Sequence, residues 1–361
     1  MPSPELLRAF DVQVEWCRKL DASFTADVVA TLADQLRRGG PLAELLPDWP
    51  GNPSADAVPL RLCGALHTLA LEPGSSLAAL YPPQATTLDR DALVRELNGA
   101  LRSDRAFFEQ MLQKPPQTNE IGRSAVLLGG FAEIARETGL PLALLEIGAS
   151  AGLNLRWDRY RFELGVCSWG DPASPVRITS RWRGTPAALP SRIDVAHRAG
   201  CDTSPLDPRS PDDRRSLLAY CWPEQRERVE RLTAALALTS ADALSVERAD
   251  AAEWLEKHLA PRRPGVATVV YHSIVWQYLG DATQRRARAA IEQAGERATV
   301  DAPLAWLAFE FDPEARAHAL TLTQWPGGAR RRLATAHPHG ADADWSTADL
   351  GQESQAAAPE R

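Results

Sequence analysis

The stretch from Leu142 to Leu155, L-A-L-L-E-I-G-A-S-A-G-L-N-L, constrains the fold more than any other part of the chain. An apolar run carrying one acid, Glu146, stops at a loop of small residues, Gly148 to Gly152. An apolar run bounded by glycine predicts a strand. Glycines at the turn let a ligand approach the main chain, because no β-carbon stands in the way. A strand that feeds a helix through such a turn also leaves backbone N–H groups unpaired. Small molecules bind α/β sheets at this place, the carboxyl end of a strand.

The chain before this stretch reads differently. Residues 1–115 carry apolar stripes at helical spacing, such as Leu6, Phe10, Val14 and Cys17, and no strand alternation. Pro-rich breaks at Pro47 to Pro53, Pro82-Pro83 and Pro115-Pro116 separate the helices. This predicts a helical N-terminal domain. Cys63 and His67 stand one helical turn apart on it, but two further ligands are missing, so both read as core. Asn119 is placed to cap a helix running to about Glu137. The short link to the next strand makes that helix a neighbour of the glycine turn, which brings Asn119 and Arg123 into view as ligand-facing residues.

After the turn, Arg161–Leu164 and Val176–Thr179 alternate and predict a β-hairpin insertion over about 157–190. Strands are then expected at Ile193–Ala196, Leu244–Glu247, Ala267–His272 and Leu304–Phe311, with helices between them. That alternation means an α/β domain over 116–340 with a mostly parallel sheet. His318–Gln324 and Arg330–Ala336 are expected as an antiparallel hairpin closing its C-terminal edge, and 341–361 as a disordered tail.

Composition excludes several functions. The net charge is −7 and no long basic run exists, which argues against nucleic-acid partners. No apolar run approaches the roughly 20 residues of a membrane helix. Five scattered cysteines without a C-x-x-C pair suit a reducing compartment. No basic stretch followed by an apolar core opens the chain, so no signal peptide is expected. A cytoplasmic protein with a small-molecule substrate, no membrane and no metal is the expectation.

The order of elements from Leu142 onward resembles the class I methyltransferases that use S-adenosylmethionine, with a Rossmann-like sheet. The resemblance covers about 118–340. It implies that Glu146, Gly148, Ala149, Ser150, Gly152 and Asn154 form the first cofactor motif, with serine at the middle glycine position. It further implies that an acid after the second strand takes the ribose hydroxyls; Asp202 is the first candidate and Asp207 the next. Asp250, with Ala251 beside it, matches the acid after strand three that meets adenine. Tyr271-His272-Ser273 matches the loop after strand four that faces the substrate, with His272 as candidate base and Ser273 and Trp276 as candidate substrate contacts. More closely, Q-T-N-E-I-G-R-S, E-I-G-A-S-A-G-L-N-L and Y-H-S-I-V-W-Q-Y-L resemble a bacterial family known only as a domain of unknown function. That likeness implies a fold and no reaction.

Three rival readings share the turn, one of them a nicotinamide-binding Rossmann site, which lacks a third glycine at the required spacing. G-A-S-A-G satisfies the G-x-S-x-G elbow of α/β-hydrolases, with Ser150 as nucleophile, Asp250 or Asp301 as acid and His318 or His337 as base. Against it stand the missing strands and oxyanion-hole string upstream. The other rival is a methyltransferase-like protein that binds a ligand without turnover.

Overall fold

The computed structural model describes residues 2–184, 189–239, 244–261 and 263–345. It divides into two compact units, one formed by 1–118 with 210–233 and one by 119–209 with 234–361.

The first unit is helical. Its helices are α1 (Pro4–Lys19), α2 (Ser23–Arg38), α3 (Pro41–Leu45), α4 (Val58–Ala70), α5 (Arg90–Ser103) and α6 (Arg105–Gln113). Apolar stripes from all of them meet in one core that includes Phe10, Leu32, Leu66, Leu97 and Phe108. Residues 210–233, which the sequence pattern alone would assign to the α/β domain, belong to this unit. The reason is polar as well as apolar. Both carboxylate oxygens of Glu224 accept from Thr25, the Gln225 amide donates to the Leu20 carbonyl, and Tyr220 joins the core. His67 is buried among these groups, its Nδ1 donating to the Ala219 carbonyl at 3.0 Å and its ring stacked on Tyr81.

The second unit is a mixed α/β structure. Helix α7 (Ser124–Thr138) precedes β1 (Leu142–Ile147), and no strand precedes β1 among the described residues. The chain continues through β2 (Arg161–Glu163), β3 (Ser168–Trp169), β4 (Arg177–Thr179), β5 (Arg181–Gly184) and β6 (Val195–Asp202). Helix α8 (Pro211–Ala219), which belongs to the first unit, and α9 (Arg226–Leu238), which runs from the first unit into the second, lead to β7 (Glu247–Arg248), α10 (Ala251–His258), β8 (Ala267–Ser273) and α11 (Asp281–Glu296). It closes with β9 (Leu304–Asp312), β10 (Ala317–Trp325), β11 (Ala329–Ala336) and β12 (Asp342–Trp345).

One large, mostly parallel sheet runs β5-β12-β11-β10-β9-β8-β1-β6-β7. β1 lies between β6 and β8, parallel to both, and every residue of it is buried. After β1 the chain passes through the small sheet and β5 at the far edge, places β6 and β7 on one side of β1, then crosses to β8 and β9 on the other. The carboxyl ends of β1 and β8 are therefore a topological switch point, the place where α/β sheets bind ligands. Leu145 and Ile147 pack with α10 and α11 residues on one face, while α7 contacts β8, β9 and β10. Two glycines let α7 lie close: side chains of Trp345 and Leu307 occupy the space that β-carbons at Gly129 and Gly130 would take.

Three expectations change. The strands of the insertion do not form the expected hairpin. β2 and β4 pair in parallel, with β3 as the antiparallel partner of β2, in a small separate sheet. The β10–β11 pair is antiparallel as expected, but it does not close the edge. β12, inside the expected tail, pairs with β11, and β5 then pairs with β12. Trp182 and Trp345 pack together there, at 4.7 Å between ring centroids, which supplies the apolar contact that keeps residues 342–345 in the sheet. Of the expected tail, 346–361 lie outside the described residues.

Candidate functional site

The glycine turn sits at the switch point. Gly148, Ser150 and Gly152 all have positive φ, at 66°, 53° and 68°. A β-carbon at Gly148 would run into the Val275 side chain, so the loop after β8 covers the turn closely. Gly148→Ala should therefore destabilise the unit by about 3 kcal/mol, combining left-handed strain with overpacking. A urea midpoint unchanged from wild type would refute that close approach.

Beyond the turn the expected helix is a short 3₁₀ segment, Asn154–Arg159. Arg156 explains the break. Its guanidinium is buried and folds back, with Nη1 on the Gly152 carbonyl at 2.6 Å and Nη2 on the Leu244 carbonyl at 3.2 Å. Trp157, fully buried, stacks on Phe131 of α7. These bonds use carbonyls at the turn, and the chain then enters β2 directly.

Most of the candidate residues from the sequence converge here. Asp202, at the end of β6, accepts from Ser150 N at 3.0 Å through Oδ2 and from Ser204 N at 2.8 Å through Oδ1. Asp207, its alternative, is ion-paired with Arg209 on the surface. Of the two, Asp202 is the one bonded to the turn. Asn119 does not cap a helix; its Oδ1 accepts from Leu153 N at 2.9 Å and pins the far side of the turn. Asn154 accepts from Ser124 Oγ at 2.6 Å. Arg123 ties three segments together, donating from Nε to the Pro338 carbonyl and from Nη1 to the Ser273 carbonyl.

Asp250 stands apart in role. It caps α10, accepting from Ala252 N and Glu253 N, and its other oxygen accepts from Thr283. Ala251 is buried behind it. This carboxylate shapes a helix start and has little lone-pair capacity left for a ligand.

His272 is sealed. Trp306 Nε1 donates to its Nε2 at 3.0 Å, so that nitrogen is unprotonated, and Nδ1–H donates to Glu310 Oε1 at 2.7 Å. The residue is 1% exposed, and both nitrogens are engaged. The nitrogen a base would offer a substrate is therefore taken by Trp306 in this arrangement. The same Glu310 oxygen accepts from Val275 N and Trp276 N. Burial alone would raise the Glu310 carboxyl, but the bonds from His272 and the two N–H groups outweigh it and hold it below its ordinary value. Between these bonds lies Ile274 at φ 52°, a rare conformation for a β-branched residue. Trp276 stacks on His272, and the Arg288 guanidinium lies over Trp276 and Trp306. Sequence reasoning missed Glu310, Trp306 and Arg156. A lone Glu inside the apolar strand F-E-F was the one available signal.

Glu146 is 2% exposed and lies beneath the turn. Tyr271 O–H donates to its Oε2 at 3.1 Å, and Oε1 has no hydrogen-bond partner among the described residues. Burial, well ahead of any other influence, pushes its carboxyl up to about 8. The nearby Asp202 charge adds to this, while the Tyr271 bond, Arg156 and Arg123 oppose it.

The hydrolase constellation does not assemble. His318 opens β10 and His337 follows β11, so β8 and β9 stand between them and β1. Three strand spacings put β10 roughly 14 Å from β1. Asp301 precedes β9, at the opposite end of the sheet. An open cleft of about 440 Å³ also lies at that opposite end, lined by Pro141, Trp169, Ile193 and Val195, and it touches none of the residues around the turn. Among the described residues no group of three His, Cys, Asp or Glu side chains is arranged to hold a metal, and no helix is long and apolar enough to cross a membrane.

No curated protein and no solved structure matches the chain. A family model does match, over residues 8–345, so the chain belongs to the family described as "Uncharacterized protein conserved in bacteria (DUF2332)".

Proposed function

We propose that the protein is an S-adenosylmethionine-dependent methyltransferase acting on a small molecule, with the cofactor seated at the turn 148–152. One observation carries this reading. At the central switch point of a parallel sheet, acids from two adjacent strands, Glu146 and Asp202, flank a turn whose first glycine leaves no room for a side chain. The residues fit such a cofactor. Glu146 receives one hydrogen bond, from Tyr271 to Oε2, which leaves Oε1 as the oxygen for a cationic ammonium. Asp202 spends one bond per oxygen on the turn, and each carboxylate oxygen has a further lone pair for a ribose hydroxyl.

When bound, the cofactor supplies an electrophilic methyl group on a sulfonium. The protein's task is then alignment, which alone is worth several kcal/mol, and no resident base is required. With His272 sealed, the acceptor is one that gives up its proton without an imidazole. The Trp276–Arg288 platform offers it a flat, cationic wall. The sealed His272 also favours a second reading, a ligand-binding protein without turnover.

Calorimetry with S-adenosylmethionine tests the reading, and Ser150→Gly sharpens it. Glycine removes left-handed strain at Ser150 but adds freedom to the unfolded chain, so the net change in stability should stay within about 1 kcal/mol. Binding should survive in this variant. The absence of any heat with wild-type protein would end the cofactor reading. Stoichiometric labelling of Ser150 by a serine-directed phosphonate would replace it with the hydrolase.

A further inference from the structure

Glu146 is placed as few carboxyls are. It is the last residue but one of β1, is 2% exposed, and has one hydrogen-bond partner, Tyr271, among the described residues. The charged and titratable groups that face it come from four directions: Tyr271 on β8, Asp202 on β6, Arg156 and Tyr160 beyond the turn, and Arg123 before α7. None of the three charged groups spends itself on Glu146. Asp202 takes N–H groups of the turn, Arg156 takes the Gly152 and Leu244 carbonyls, and Arg123 takes Pro338 and Ser273. Burying an ionised carboxylate with a single phenol bond is costly, so the group neutralises instead. A neutral acid satisfies the geometry: Tyr271 still donates to Oε2, and the proton sits on the partnerless Oε1.

We propose that Glu146 makes ligand binding at the glycine turn a proton-coupled event, in which the carboxyl holds its proton in the empty site and releases it when a cationic group of the ligand docks against Oε1. The inference rests on the cofactor reading above, in which that group is the methionine ammonium. The step balances simply. The O–H bond of the carboxyl breaks, its proton passes to solvent, and the ammonium keeps all of its own protons. The new carboxylate–ammonium pair replaces the lost bond. Such a site tells the two ligand classes apart by proton release, because a ligand offering the nucleoside part alone leaves Glu146 protonated. It also makes affinity depend on pH: below about 8, each unit of falling pH weakens binding about tenfold.

The test is calorimetry at pH about 6.5 in two buffers of different ionisation enthalpy, which counts protons exchanged on binding. S-adenosylmethionine should release close to one proton, and 5′-methylthioadenosine, which lacks the amino-acid part, should release none. Glu146→Gln places a neutral amide where a neutral acid stood, so its fold should persist. It should bind S-adenosylmethionine with no proton release and a flat pH dependence. Tight S-adenosylmethionine binding without proton release, flat between pH about 6 and 8, overturns the proposal and leaves the cofactor reading intact. Undiminished proton release in Glu146→Gln also overturns it, by assigning the proton to another group. No binding of S-adenosylmethionine to wild-type protein rejects the cofactor reading, and this inference with it.

Discussion

Truncating Glu310 to alanine should cost the α/β unit about 4 kcal/mol and release the loop that follows β8. One oxygen of this carboxylate receives three donors: His272 Nδ1 at 2.7 Å, Val275 N at 2.9 Å and Trp276 N at 3.2 Å. Each is a charge-assisted bond, and each donor left unmet in a buried place costs about 1–3 kcal/mol. The side chain of Glu310 is 19% exposed, so water recovers part of that, which sets the figure at the lower half of the sum. Ile274 would then lose the bonds on either side that hold it at φ 52°, a conformation worth about 1–3 kcal/mol of strain. Its relaxation should lift Val275 off Gly148. Urea unfolding reads the stability, and amide exchange at Val275 and Trp276 reads the loop. Glu310→Gln keeps an acceptor oxygen and should lose less than half as much. A loss below about 1 kcal/mol in Glu310→Ala, with exchange unchanged, would show that the loop is held by packing instead.

That loop marks where the sequence stopped being readable. The strands on either side of it were legible because burial writes itself into composition. β1 and β8 are continuous apolar runs, as a parallel strand covered on both faces must be, and their boundaries fall within a residue or two of the pattern. The helical stripes of residues 4–113 were legible for the same reason. The glycine turn was found through residue size alone. What could not be read were partners distant in sequence. Glu310 lies 38 residues from His272, and nothing local ties them. Residues 210–233 carry an ordinary helical pattern, and only the contacts of Glu224 and Tyr220 assign them to the helical unit. β5 and β12 are short strands with charged residues, R-W-R-G and D-A-D-W, whose pairing across more than 150 residues leaves no periodic trace. The helix expected after the turn failed for a local reason: Arg156 prefers the carbonyls of the turn, and Trp157 prefers Phe131, to a continuing helix.

The largest pH effect should come from Glu146. Its folded carboxyl is pushed up to about 8, against an ordinary 4.5, chiefly by burial. Between those two values the folded state holds a proton that the unfolded chain has lost. Stability from this group is therefore complete below about 4.5 and is lost as pH rises through about 8. The slope is about 1.4 kcal/mol per pH unit, on the order of 4 kcal/mol across the window. Glu146→Gln removes the titration and keeps an acceptor for the Tyr271 hydroxyl. The variant should match wild type to within about 1 kcal/mol near pH 4.5 and exceed it by on the order of 4 kcal/mol near pH 8. Comparing the two proteins at each pH cancels every other titrating group, His318 included. Parallel urea-midpoint curves for the two would show that Glu146 is ionised in the folded state, and proton-coupled binding would fail with it. The expected divergence has a functional meaning. A residue whose replacement by its neutral isostere strengthens the fold at neutral pH is kept at a cost, and such costs gather where a side chain serves a ligand. In Glu146 that cost is the proton its buried carboxyl must hold as pH rises toward 8.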